Sequence, residues 1–307
     1  MIKWINKNNF IRWSIVAGFI IYVLIFIKPI NLINQLGNVN FVYLPFWVLL
    51  YLFALTLGAL NLYLLLIPFN KSNFLTVLKI DFFAASIGYF TPGQLGNPVS
   101  LLRALKLKDI SYTQSILVFV LDRTISLVVA FILGAVGFIL LISSKSEIHL
   151  KSFHLSKVFI FSIAILLIIV LLVLLLNDKI FAKIKSKMLE LFNLISFYKN
   201  RKRLIILNIL STLIIQVVLA AAWYLTFISL GDHINYLTIL LTIPVLTIIG
   251  YLPITVGGIG TQEFSAILIW SFAGLSAPSV IAVFVLSRLL TYIISFIIIL
   301  SIKYLIH

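Results

Sequence analysis

Val118-Phe119-Val120-Leu121-Asp122-Arg123 returns 165 residues later as Val283-Phe284-Val285-Leu286-Ser287-Arg288, with five of the six positions identical. Upstream, Gly88-Tyr89-Phe90-Thr91-Pro92 has a counterpart in Gly250-Tyr251-Leu252-Pro253, at an offset of 162. Two matches at nearly one spacing mark an internal repeat. Each copy carries a Pro/Gly break and then a long apolar run with an arginine inside it. Two halves follow from this, 72–142 and 236–305, built on the same plan.

Composition decides which solvent surrounds those halves. Of the 307 residues, 63% are hydrophobic and 10% are charged, whereas a soluble domain is roughly one quarter charged. A soluble domain of about 100 residues has no place to sit, because the longest loop-like stretch, Asn177 to Arg203, holds only 27 residues. The chain therefore reads as an all-α polytopic membrane protein, one membrane domain over 1–307. Its net charge of +15 does not indicate nucleic acid, since the Lys and Arg residues cluster between apolar runs and form no basic polar face. Such clusters mark the cytoplasmic side and can touch anionic headgroups. The absence of cysteine excludes disulfides, thiolate metal sites and a Cys nucleophile.

About 20 apolar residues cross a hydrocarbon core. Five runs, 13–27, 41–67, 158–176, 204–230 and 280–302, meet or approach that length, and a sixth, 112–142, does so while holding Asp122 and Arg123. Two more stretches are interrupted: 74–107 by Thr91 to Pro98, and 236–273 by Pro253 to Gly260. Arms of roughly 10 to 18 residues are short for a full crossing, so these are expected to be re-entrant helical hairpins. The expectation is six transmembrane helices plus two hairpins.

With the N-terminus inside, 17 Lys and Arg residues fall on the cytoplasmic side and four outside, leaving Arg123 and Arg288 within membrane runs. That bias supports a multi-pass protein of the cytoplasmic membrane with both termini cytoplasmic. Lys3, Lys7 and Arg12 precede the first run and no small-residue cleavage site follows it, so that run is read as a retained helix. In 178–203, Ile180, Phe181, Ile184, Met188, Leu191, Phe192 and Ile195 alternate with lysines. That is an amphipathic helix at the cytoplasmic face, packed on the protein or on lipid. The first hairpin then enters from the cytoplasm and the second from outside. Inverted repeats with broken helices in matching places are a signature of secondary transporters, whose site lies at the repeat interface.

An arginine inside the bilayer is paired, wet or functional. Arg123 and Arg288 have Asp81, Asp122 and Glu263 at similar depth. Two readings stand: structural ion pairs closing the halves, or guanidinium groups that bind a phosphate. The tips offer further polar groups. Gln94, Asn97, Ser100 and Arg103 belong to or follow the first, and Gly257, Gly258, Gly260, Thr261, Gln262 and Glu263 the second. Backbone N–H groups at a half-helix N-terminus can bind an anion, and the glycines can equally serve close packing. Glu263 has three available roles: partner of a helix N-terminus, counter-ion to an arginine, or proton carrier. His149, His154, His233 and His307 form no ligand set, and no phosphate-binding Gly-Lys-Ser/Thr loop occurs. No metal, cofactor or catalytic constellation is expected.

At these residues the chain resembles the flippase-like family typified by the membrane domain of lysylphosphatidylglycerol synthases. Thr91-Pro92-Gly93-Gln94-Leu95-Gly96-Asn97-Pro98-Val99-Ser100 looks like its first tip, and Asp122-Arg123 like its acidic-Arg pair. Pro253 with Gly257-Gly258-Ile259-Gly260-Thr261-Gln262-Glu263 looks like its later motif, and Arg288 like its final-helix arginine. Asn97 stands where many members have Glu or Gly, and Ser100 where many have Arg, which makes Arg103 the nearby substitute. The resemblance spans nearly the whole chain without the synthases' aminoacyl-transferring domain. It implies a flippase moving an anionic or aminoacylated phospholipid, or a polyprenyl-phosphate-linked lipid, with membrane lipids and lipid-modifying enzymes as partners. Some members are associated with glycosyl transfer, and an enzyme of lipid-linked glycan assembly is the alternative; its carboxylates would come from Asp81, Asp109, Asp178 and Glu190.

Overall fold

A computed structural model describes residues 29–69, 73–91, 94–107, 110–143, 198–251, 255, 258–271 and 273–302. Among them are nine α-helices: α1 (Pro29–Gly37), α2 (Leu44–Leu66), α3 (Phe74–Tyr89), α4 (Gly96–Lys106), α5 (Tyr112–Ser143), α6 (Lys202–Ser229), α7 (Tyr236–Tyr251), α8 (Thr261–Ser271) and α9 (Ala277–Ile302). No strand occurs among the described residues. The chain divides into two compact units, one of residues 1–141 and 206–307 and the other of residues 142–205. In the second, Lys199 to Arg203 are exposed at the start of α6 and in the 3-10 turn before it.

Four helical stretches are long and apolar enough to cross a membrane: Phe41–Leu66, Tyr112–Gly137, Lys199–Ser229 and Ala277–Ile302. They correspond to four of the six expected spans. The other two, 13–27 and 158–176, lie outside the described residues, as does 178–197 of the amphipathic segment. Burial in these helices runs inside-out relative to a soluble protein. Phe46, Leu49 and Phe53 on α2, Phe131 on α5, Leu210 and Ile214 on α6, and Phe296 and Leu300 on α9 are exposed. Asn61, Asn208, Thr212, Gln216 and Ser287 are buried. Only a hydrocarbon solvent makes that distribution favourable.

The repeat extends through the helix boundaries. Helices α3 and α7 each have 16 residues and start 162 apart; α4 and α8 each have 11 and start 165 apart. Helices α5 and α9 also start 165 apart, which places three extra residues in the second break. The capping residues repeat as well. Asn73 Oδ1 accepts the Thr76 N–H at 2.9 Å before α3, and Asn235 Oδ1 accepts the Leu237 N–H at 2.8 Å before α7. Ser111 accepts the Gln114 N–H at 3.2 Å before α5, and Ser276 accepts the Ser279 N–H at 3.3 Å before α9. Such caps satisfy donors that a helix start leaves open.

Both broken stretches thus fold as a helix, a break and a shorter helix. At 1.5 Å per residue the arms are about 24 and 16 Å long, short of a hydrocarbon core of about 30 Å. Near each break a glycine makes room for an amide side chain on the next helix. A Cβ on Gly88 would lie 2.9 Å from the Asn97 Cβ, and one on Gly250 would collide with the Gln262 side chain.

Each half's long arginine helix also packs on the 16-residue helix of the other half. Helix α9 packs against α3, where Tyr292 stacks on Phe90 with centroids 5.4 Å apart. On α5, Gly134 and Gly137 lie against Val245 and Leu241 of α7, a small-residue contact of the kind that membrane helices use. The core of the second half is aromatic: Trp270 meets Phe227 edge-on at 5.0 Å and Trp223 meets Phe284 at 4.7 Å. The Trp270 Nε1–H donates to Thr242 Oγ1 at 2.8 Å, so its polar edge is not left unpaired.

Candidate functional site

A cavity of about 410 Å³ lies among α2, α3, α4, α5, α6 and α7. Its charged walls are Asp81 from α3 and Asp122 and Arg123 from α5; its amide walls are Asn61, Gln94, Asn97 and Gln216. Thr212 and Gln216 on α6 and Thr247 on α7 come from beyond the first half. The first break contributes Gln94 directly to the cavity, in a left-handed conformation with φ 55°. A non-glycine residue there carries strain. The Gln94 carbonyl accepts the Asn97 N–H at 3.0 Å, so the turn that strains Gln94 also sets the start of α4.

Asp122 is joined to α6 and α2 by a buried polar relay. Asn208 Nδ2 donates to Asp122 Oδ1 at 3.2 Å and to the Asn61 carbonyl at 3.2 Å. Asn61 Nδ2 donates to Thr212 Oγ1 at 3.0 Å, and Thr212 donates to the Asn208 carbonyl at 2.8 Å. Arg123 sits over the Phe119 ring, its guanidinium carbon 5.2 Å from the centroid. It acts electrostatically on both Asp81 and Asp122.

The second half arranges its arginine differently. Arg288 Nε donates to Glu263 Oε1 at 2.6 Å, and its Nη2 donates to Gln262 Oε1 at 3.0 Å. Glu263 Oε2 accepts the Gly260 N–H at 2.7 Å. Gln262 Nε2 donates to the Leu246 carbonyl at 3.0 Å, which joins α7, α8 and α9 in one network. Gly258 and Gly260 have φ of 73° and 87°, a conformation in which a Cβ is strained. Glu263 therefore takes two of its expected places at once, at the start of α8 and against an arginine.

Of the expected site residues, Asp81, Gln94, Asn97, Asp122 and Arg123 come together around the cavity. Gly258, Gly260, Gln262, Glu263 and Arg288 come together in the second network. Ser100 and Arg103 do not line the cavity; Arg103 is exposed in the last turn of α4. Gly257, Asp109, Asp178 and Glu190 lie outside the described residues. Asn61, Asn208, Thr212 and Gln216 are additions to the site. Their signal was present, since Asn208, Thr212 and Gln216 recur every fourth residue along one face of an apolar span. Among the described residues no group of three or more His, Cys, Asp or Glu could hold a metal ion.

A family model, the lysylphosphatidylglycerol synthase TM region, matches residues 9–299, nearly the whole chain. The chain belongs to that family. No curated protein gives a match to it.

Proposed function

From membership in a membrane family tied to lipid metabolism, we propose that the protein moves a phosphate-bearing lipid between the leaflets of the cytoplasmic membrane and makes no bond itself. The lipid classes that fit are an anionic or aminoacylated phospholipid and a polyprenyl-phosphate-linked lipid. The observation that carries this reading is the polar cavity, enclosed by otherwise apolar helices from both halves of a repeat and lined at the first break by Gln94 and Asn97. Irregular backbone at membrane depth is tolerated where it lines such a cavity, and transporters with broken repeats bind there.

In this reading Arg123 holds the lipid phosphate. A guanidinium presents a planar fork of donors that pairs with phosphate oxygens, and Gln94 and Asn97 supply amide groups beside it. Arg288 serves a different end, because its pairing with Glu263 fixes the second break against α9. The two helix–break–helix units act as re-entrant hairpins whose opposed entries make the halves inverted. The acyl chains stay in the bilayer while the headgroup passes through the cavity.

Reconstitution of the full chain into liposomes containing fluorescent phospholipids tests the proposal. A leaflet-selective quencher should reach more fluorophore than in protein-free liposomes, and faster. No transbilayer movement above the protein-free level, across anionic, aminoacylated and polyprenyl-phosphate headgroups, would exclude it.

A further inference from the structure

The cavity wall holds more hydrogen-bond acceptors than its own donors satisfy. In the relay of Asn61, Thr212, Asn208 and Asp122, the amide and hydroxyl protons point at neighbouring oxygens within the relay. Asn61 Oδ1, Asn97 Oδ1 and Gln216 Oε1 accept no hydrogen bond, although these side chains are only 2%, 6% and 7% exposed. Each belongs to a residue that lines the cavity together with Asp81 and Asp122. A buried oxygen without a donor is costly, and three on residues that line one cavity leave acceptors for a hydrogen-bond donor or a cation. Charge points the same way. Two carboxylates face one guanidinium, Arg123, and no other charged residue is among those lining the cavity. A lipid phosphate bound at Arg123 would deepen that negative excess. On the α2 side Gly58 has no side chain to cover Asp81: a Cβ there would stand 3.6 Å from Asp81 Oδ2.

We propose that this cavity binds one sodium-sized monovalent cation between Asp81, Asp122 and the Asn61 amide oxygen, and that the ion enters with the lipid headgroup. Carboxylate and amide oxygens are the donors that hard cations take. With Arg123 offsetting one of the two carboxylates, a single positive charge brings the wall to neutrality. The co-entry rests on the transport reading; the binding of the ion does not, and it is measured without lipid movement.

The denaturation midpoint of the purified full chain is followed in detergent as sodium chloride replaces choline chloride at constant ionic strength. A ligand that binds only the folded state raises the midpoint saturably, and the expected rise is a few °C. Asp81→Asn and Asp122→Asn keep shape while removing a carboxylate, so both should fold, with midpoints in choline at or above wild type, and lose the sodium-dependent rise. Asn61→Ala should require several-fold more sodium for the same rise. The site is overturned by the absence of a sodium-specific rise in the wild type or by an equal rise in both Asp→Asn variants. A rise produced by an aminoacyl lipid but not by sodium also overturns it. A sodium rise in a protein that moves no lipid would keep the ion site and remove the transport reading.

Discussion

Arg123 and Arg288 each stand eleven residues after the start of equivalent helices, and their surroundings divide their labour. Arg288 is held by Glu263 and Gln262; Arg123 faces a cavity with two carboxylates. The repeat explains why the carboxylates differ. At the spacing of each segment, Asp81 corresponds to Ile243, Asp122 to Ser287 and Glu263 to Pro98. Breaking a buried ion pair by removing one partner typically costs about 3–5 kcal/mol. Glu263→Ala should sit near the low end, about 3 kcal/mol, because the Arg288 side chain is 19% exposed. It would show as a clear fall of the thermal midpoint in detergent. Gln94 behaves in the opposite sense. Glycine adopts positive φ without strain, so Gln94→Gly should raise stability by about 1 kcal/mol or less. The same change removes an amide from the cavity, and lipid movement should fall as the midpoint rises, a trade of stability against function.

The helices were the most legible element of the sequence, because a run of about 20 apolar residues has few folded alternatives. The breaks were legible for a related reason: Pro92 and Pro253 with nearby glycines disfavour a continuing helix, whereas Pro98 is accommodated in the first turn of α4. The interior faces were harder to read. Asn61 meets Thr212 across 151 residues of chain and Asn208 meets Asp122 across 86, and no local pattern encodes which helices become neighbours. The same holds for Arg103, a residue of suitable chemistry that the end of α4 carries to an exposed position away from the cavity. At this scale the contact between α5 and α7 is testable. A Cβ on Gly137 would meet the Leu241 carbonyl oxygen at 3.0 Å, and backbone cannot rotate aside as a side chain can. Gly137→Ala should therefore destabilise the protein by about 1–3 kcal/mol, as overpacking does, seen in thermal unfolding in micelles. Gly37→Ala, which meets nothing within 4 Å, should cost much less.

On the scale of the whole molecule, the proposed inverted arrangement predicts which ends share a membrane face. The sequence contains no cysteine, so single cysteines report without background. Cysteines replacing Asn73 and Leu107, which flank the first broken unit, should react with an impermeant maleimide from the same side as one at Lys202. Cysteines replacing Asn235 and Gly274, which flank the second, should react from the opposite side. If Asn73 and Leu107 label from opposite faces, the first unit crosses the membrane and the halves are not inverted in this way. Lys199, Arg201, Lys202 and Arg203 are exposed at the start of α6, the end that the proposed topology places in the cytoplasm.

All three scales meet at the Arg123 guanidinium, which the transport reading makes the phosphate ligand. The initial rate of transbilayer lipid movement by Arg123→Ala in proteoliposomes, compared with wild type at a temperature below both thermal midpoints, is the most direct test. Loss of a charge-assisted, bidentate phosphate contact of about 2–3 kcal/mol predicts a rate lower by roughly 30- to 150-fold at a temperature where both proteins are folded, while the midpoint falls because Asp81 and Asp122 lose their counter-charge. A full wild-type rate at that temperature, or a loss of rate only where the variant unfolds, would contradict the account.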